Sequence, residues 1–132
     1  MIVDTSAIMA LLLNEPEHVE FAHAMAVART RRLSAGSWIE LAAVLSRHPH
    51  GDKLGTSLDD IIRDTYVTIE AVTVEQARIG HAAYREYGRG SKHAADLNFG
   101  DCFAYALAKS TGLPLLTLDA DFRKSDIAVL SP

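Results

Sequence analysis

The sequence predicts one α/β domain built on a parallel sheet, and three observations predict it. Short runs rich in Ile, Val and Leu recur along the 132 residues, each separated from the next by segments with apolar residues at helical spacing. Strands that alternate with helices pair in parallel, because each crossover needs a helix to cover a face of the sheet. Finally, carboxylates follow two of the apolar runs directly: Asp4 after Ile2-Val3, and Asp119 after Leu115-Leu116-Thr117-Leu118. Ligands of open α/β sheets bind at those carboxyl ends. With no repeat, low-complexity tract or linker, residues 1–132 are expected to form a single domain. A central sheet of about four to five strands is expected, flanked by helices.

Taken in order, Ile2-Val3 is the first strand, and residues 7–13 form a short apolar helix capped by Ser6 or Asp4. Asn14-Glu15-Pro16 breaks that helix, and Pro16 suits the first turn of the next, which covers 17–29 with Val19, Ala22, Met25 and Ala26 at helical spacing. Residues 31–35 read as a second strand. Ser37-Trp38-Ile39-Glu40 matches a capping box and opens a helix carrying Ile39, Ala42, Ala43 and Leu45. Pro49, Gly51 and Gly55 mark 48–55 as a loop, with a helix over 58–66 and a strand over 67–72 beyond it. Thr73 starts a long helix with Ala77, Gly80, His81 and Tyr84 down one side, and Gly88 ends it. The polar, basic segment 88–97 reads as a mobile loop. Asn98 or Gly100 opens a helix to Ser110 that Gly112 stops, and strands over 113–118 and 127–130 complete the order.

Composition narrows the class of protein. Hydrophobic content of 48% and charged content of 23% are those of a soluble globular chain. The longest apolar stretch, residues 8–13, is too short to span a bilayer. The start lacks the pattern of a signal peptide, and the single cysteine, Cys102, excludes an internal disulfide and fits a reducing compartment. A cytoplasmic location without membrane attachment is expected. The net charge of −4 opposes bulk attraction to nucleic acid, but setting Asp4, Glu40, Asp101 and Asp119 aside leaves a neutral remainder. Cations bound among those acids would offset their charge as well.

Each acid has a structural explanation of its own. Asp4 could cap the following helix, and Glu40 could complete the capping box of Ser37. Asp101 could favour the start of its helix through the dipole, and Asp119 or its neighbour Asp121 could shape a turn. What sets them apart is shared placement at strand ends and helix starts. The helix after Asp101 is apolar on most sides, so a charge at its start is buried and needs a partner, yet no Arg or Lys is an evident one. An all-oxygen cluster suits Mg²⁺ or Mn²⁺ rather than zinc. The six histidines are scattered without metal-ligand spacing, Cys102 lacks an evident His partner, and there is no phosphate-binding glycine loop. Arg85, Arg89, Lys92 and His93 form a basic stretch that is either a solvated surface or a contact for a phosphate backbone.

The order of these motifs is itself informative. Ile-Val-Asp4-Thr-Ser-Ala opens the chain, and Ser-Trp-Ile-Glu40-Leu-Ala begins a helix. Asn-Phe-Gly-Asp101-Cys-Phe-Ala begins another, and Leu-Leu-Thr-Leu-Asp119-Ala-Asp121-Phe ends a strand. From residue 2 to residue 130 this series resembles the PIN-domain family, specifically the VapC-type toxins of bacterial toxin–antitoxin pairs. The resemblance implies a parallel sheet flanked by helices and an endoribonuclease that uses Mg²⁺ or Mn²⁺. It implies that Asp4 and Asp101 are the principal metal ligands, Glu40 a third site acid, and Asp119 the more variable fourth, with Asp121 close enough to compete for that place. A cognate VapB-type antitoxin and a homodimer are implied as partners. The chemistry is consistent, since a metal ion can activate water and neutralise phosphate charge without a protein nucleophile. Ser6 and Asn98 are expected to orient water or a carboxylate, and Arg85, Arg89 and Lys92 to contact RNA. Two other functions compete. A phosphohydrolase of small phosphate esters that used an aspartate nucleophile would carry a second acid two residues after the first, where this chain has Ser6. A non-catalytic binding module would use the same groove for a protein partner.

Overall fold

Five short strands form one sheet in the order β3-β2-β1-β4-β5, with every neighbouring pair parallel. They are β1 (Ile2–Val3), β2 (Arg32–Ser34), β3 (Thr68–Glu70), β4 (Leu115–Leu116) and β5 (Val129–Leu130). The computed structural model describes residues 1–130; residues 131 and 132 of the expected domain lie outside the described residues. The chain lays down β1, β2 and β3 outward in one direction, then crosses back to place β4 on the other side of β1. That reversal puts a topological switch point between β1 and β4, the position where open α/β sheets open a crevice at their carboxyl ends.

Alternate residues of a strand face opposite sides of the sheet, so β1 and β4, with two residues each, feed two cores. Val3 and Leu116 pack with Ile8, Phe21, Met25, Leu41 and Leu58, supplied by α1 (Thr5–Leu13), α2 (His18–Val27), α3 (Ala35–Leu45) and α4 (Gly51–Asp64). Ile2 and Leu115 pack on the other face with Ala83, Tyr87, Tyr105 and Leu107 from α5 (Val74–Tyr87) and α6 (Asp101–Thr111). Phe122, from a 3-10 turn at Ala120–Lys124, closes that second core. Gly112 stops α6 in the left-handed region (φ 67°), which glycine enters without steric cost. No helix among the described residues is long and apolar enough to cross a membrane.

Three expectations are corrected. Residues 51–55 are the start of α4 rather than part of a loop. Leu54, Leu58, Ile61 and Ile62 pack on the first core at helical spacing, and that burial outweighs the poor helix propensity of Gly51 and Gly55. α3 begins at Ala35, capped by Ser34, whose Oγ accepts from Gly36 N at 3.2 Å. Ser37 therefore lies buried inside the helix and caps nothing, which removes the capping-box explanation for Glu40. The segment 88–97 is tied down rather than free. Leu97 N donates to Tyr87 O at 2.9 Å and Arg89 N to Leu97 O at 3.0 Å, Ala95 and Leu97 are fully buried, and the ring of Tyr87 stacks edge-on against His93.

Candidate active site

Asp4 follows β1 directly, and its backbone N donates to Leu116 O at 3.0 Å across the switch point. Its side chain is buried, and Oδ2 accepts from Ser6 Oγ at 2.6 Å, Thr117 Oγ1 at 2.9 Å and Ser6 N at 3.2 Å. The Ser6 N contact makes Asp4 the N-cap of α1, one of the two candidates for that role. Each hydroxyl in turn accepts a backbone N–H from beyond β4: Leu118 N on Ser6 Oγ and Asp119 N on Thr117 Oγ1, both at 3.0 Å. The carboxylate of Asp4 and the chain after β4 are thus locked together through two hydroxyl groups.

The other acids arrive from three further elements. Glu40, on the second turn of α3, accepts from Thr5 Oγ1 on Oε2 at 2.8 Å. Asp101 and Asn98 exchange bonds at the start of α6: Asn98 N donates to Asp101 Oδ2 at 2.7 Å, and Asp101 N donates to Asn98 Oδ1 at 3.0 Å. This reciprocal arrangement fixes the Asp101 side chain and satisfies two donors of the helix start. Asp119 caps the 3-10 turn by accepting from Asp121 N at 2.8 Å. Asp121 itself is engaged by Lys124 Nζ at 2.7 Å. Asp119 has no cationic partner among the described residues, and its charge acts on Asp101.

Burial dominates the electrostatics. It holds the Asp101 carboxyl up at about 7 against an ordinary 3.8, and the charges of Asp4, Asp119 and Glu40 push the same way. Burial also raises Glu40, opposed by the Thr5 bond and reinforced by Asp4. Asp4 is raised by burial too, opposed by the bonds from Ser6 and Thr117. None of Asp4, Glu40, Asp101 or Asp119 is ion-paired with a Lys or Arg among the described residues. Four acids from four elements, mutually coupled and unneutralised, are a poor arrangement for folding alone. They fit a hard divalent cation, because every donor is oxygen. Among the described residues no three acids yet converge as a finished cage. Thr5 bonds Glu40 and Asn98 bonds Asp101, so each of the two acids is held from its own side.

A pH dependence follows. Between about pH 4 and pH 7 the folded protein keeps a proton on Asp101 that the unfolded chain has released, so metal-free stability falls as pH rises through that window. Asp126 is lowered by the Lys109 and Tyr105 bonds, and its contribution is lost only as pH falls below the usual carboxylate range. Excess Mn²⁺ is expected to reverse the loss above pH 7 by favouring the ionised acids. Thermal melts from pH 4.5 to 8, in EDTA and in Mn²⁺, check both; a melting temperature climbing steadily with pH in EDTA contradicts the site electrostatics.

Thr5, Thr117 and Gly100 belong to this constellation although the sequence reading gave them no role. Thr117 carried a signal, being a polar residue within an otherwise apolar strand run and fully buried in the fold. A Cβ at Gly100 would lie 1.8 Å from Glu40 Oε1, and nothing in the sequence announces that contact. Arg85, Arg89 and Lys92 are exposed at the end of α5 and in the following loop, and none bonds to the four acids. Arg89 Nε lies 3.9 Å from Asp96 Oδ2. Cys102 is packed in α6, with its thiol raised to about 11 by burial and the neighbouring Asp101.

Comparison with known proteins matches residues 1–128 to the PIN domain. Ribonuclease VapC28 of Mycobacterium tuberculosis is 47% identical over 122 residues, covering 92% of this chain and 91% of that one. Among solved structures, VapBC2 from Rickettsia felis, bound to a DNA fragment from its promoter, superposes with a TM-score of 0.77 at 14% identity, covering 98% of this chain and 96% of the other. Mycobacterium tuberculosis VapC20, a toxin that cleaves the sarcin–ricin loop, gives 0.76 at 21% identity, with 99% and 98% coverage. At those identities the superpositions speak for the fold.

Proposed function

Since the chain belongs to the PIN-domain family, with the VapC ribonucleases as its relatives, we propose that it is a Mg²⁺- or Mn²⁺-dependent endoribonuclease and the toxin of a toxin–antitoxin pair. The observation that carries this reading is the set of four coupled acids, Asp4, Glu40, Asp101 and Asp119, gathered without a basic partner around the β1–β4 switch point. Asp4 and Asp101 are the residues to hold the metal, with Glu40 completing its surroundings and Asp119 at the fourth position. When bound, the ion supplies a more acidic attacking water and neutralises charge on the phosphate. Asp4 is presented by the bonds from Ser6 and Thr117, which fix its Oδ2, and Asp101 by its exchange with Asn98. Glu40, held by Thr5, lies beside these acids, where an ionised carboxylate can orient water or accept a proton. No protein nucleophile is needed, and the one thiol, Cys102, is held protonated at neutral pH.

A VapB-type antitoxin is the partner that the relatives imply, and the cytoplasm is where RNA and antitoxin would meet. A second copy of the chain is the further partner. Val72, Tyr84 and Phe99, all exposed, line one groove between α5 and α6 and give it an apolar character suited to protein contact. Arg85, Arg89 and Lys92 are available, on an exposed edge, for phosphate contacts.

Mixed cellular RNA incubated with the protein in Mg²⁺, Mn²⁺ or EDTA tests the reading. Discrete products in metal, none in EDTA, and no turnover of a generic phosphate ester are expected. Turnover of the small ester alone would support the phosphohydrolase. RNA left intact in every metal by well-folded protein refutes the nuclease.

A further inference from the structure

Resting on the nuclease reading for its role but not for its geometry, we propose that Gly100 is a positioning residue: the absence of a side chain there fixes where the Glu40 carboxylate sits. Gly100 has φ −63° and ψ −41°, ordinary helical values that any residue adopts. The requirement for glycine is therefore one of space. An added Cβ would meet Glu40 Oε1 at 1.8 Å, Cδ at 2.3 Å and Oε2 at 2.7 Å, so the carboxylate occupies the volume a methyl group would fill. From the other side Thr5 Oγ1 bonds Oε2 at 2.8 Å. The carboxylate is clamped between the start of α1 and the first turn of α6.

That turn does two jobs. Asn98 and Asp101 fix one acid by exchanging bonds, and Gly100, between them, admits the other. Gly36 shows the contrast. A Cβ there would strike the ring of Phe103 at 2.2 Å, so its glycine serves packing between α3 and α6. At Gly100 the obstructed atoms are the far end of a flexible side chain, which can swing away without disturbing the core.

Gly100→Ala is the test, with Glu40→Asp and the double variant beside it. The backbone at Gly100 is one that Ala adopts without strain, and Ala narrows the unfolded ensemble, so the melting temperature of Gly100→Ala is expected to hold or rise. Mn²⁺ affinity, measured by calorimetry without RNA, is expected to fall about tenfold or more, as for loss of a group that orients a metal site. RNA cleavage is expected to fall with it, mainly in kcat. Shortening the acid withdraws its carboxylate from the methyl group, so Gly100→Ala/Glu40→Asp is expected to bind Mn²⁺ better than the two single losses combined predict. A purely structural glycine would not show that rescue. In metal-free wild type, the Glu40 γ-protons are expected to show NMR contacts to the Gly100 α-protons. Wild-type affinity in Gly100→Ala, strictly additive losses in the double variant, or failure of Gly100→Ala to fold would each overturn the proposal. Wild type that binds Mn²⁺ but cleaves no RNA refutes the nuclease and leaves Gly100 to be judged on metal affinity. Wild type that binds no Mn²⁺ overturns both.

Discussion

Asp101→Asn is expected to abolish RNA cleavage while raising the melting temperature of the metal-free protein at pH 8. The two effects share a cause. A carboxyl held at about 7 by burial and three neighbouring acids is ionised at pH 8 only against that environment. The energy behind that rise is at most about 4 kcal/mol, and part of it is screened because Asp101 is not fully buried. A gain of about 1–2 kcal/mol, or about 3–8 °C, is the expected size. Asn preserves the local structure because its amide oxygen still accepts from Asn98 N. At pH 5 wild-type Asp101 is already protonated, and the difference in melting temperature should vanish. Cleavage should fall by more than about a hundredfold, beyond what loss of an orienting neighbour alone produces. Melts at pH 5 and pH 8 in EDTA, with cleavage assays beside them, decide the matter. A lowered melting temperature at both pH values would mean that Asp101 is there to hold the fold.

Thr117→Val is expected to give the opposite combination, losing activity and stability together. The side chains are close in shape and the site is fully buried, so the change puts a methyl group where the hydroxyl was. That hydroxyl donates to Asp4 Oδ2 and accepts from Asp119 N. Its loss leaves a donor and an acceptor short of partners in the interior, at a cost of about 1–3 kcal/mol. Asp4 also loses one of the bonds that oppose the effect of burial, so its carboxyl rises further. The acid limb of the pH–rate profile should move towards higher pH, with activity reduced about 10- to 100-fold. Thr117→Ser keeps the hydroxyl and is expected to recover most of both losses. Equal damage from Ser and Val would assign Thr117 to packing.

Much of this site is written in local sequence. Asp4 and Asp119 could be read because each follows an apolar run, and Asp101 because an apolar helix follows it. The parallel sheet follows from the alternation of such runs with helical segments. Glu40 is obscured in the sequence by a local alternative that the fold removes. The capping box starting at Ser37 fits the sequence, but Ser34 takes the cap and the helix begins earlier. α4 was hidden because Gly51 and Gly55 lower local propensity, while the burial that stabilises the helix depends on partners elsewhere in the chain. Thr5 bonding to Glu40, Thr117 to Asp4, and Gly100 yielding space to Glu40 are each contacts between distant segments. A single sequence offers a polar residue or a glycine at those positions, and only the fold supplies the partner.

The span of the hydrogen bonds around Asp4 bears on when the molecule can become active during its synthesis. Asp4 is made 113 positions ahead of Thr117, which with Asp119 completes its surroundings. Domains fold as units while chains grow at roughly 5–20 residues per second. A growing chain that stops short of β4 has neither the strand beside Asp4 nor the hydroxyl that holds it. The carboxylates therefore assemble only after β4 has been made, so a ribosome making this protein is spared a functioning nuclease while it builds the stretch from Asp4 to Thr117.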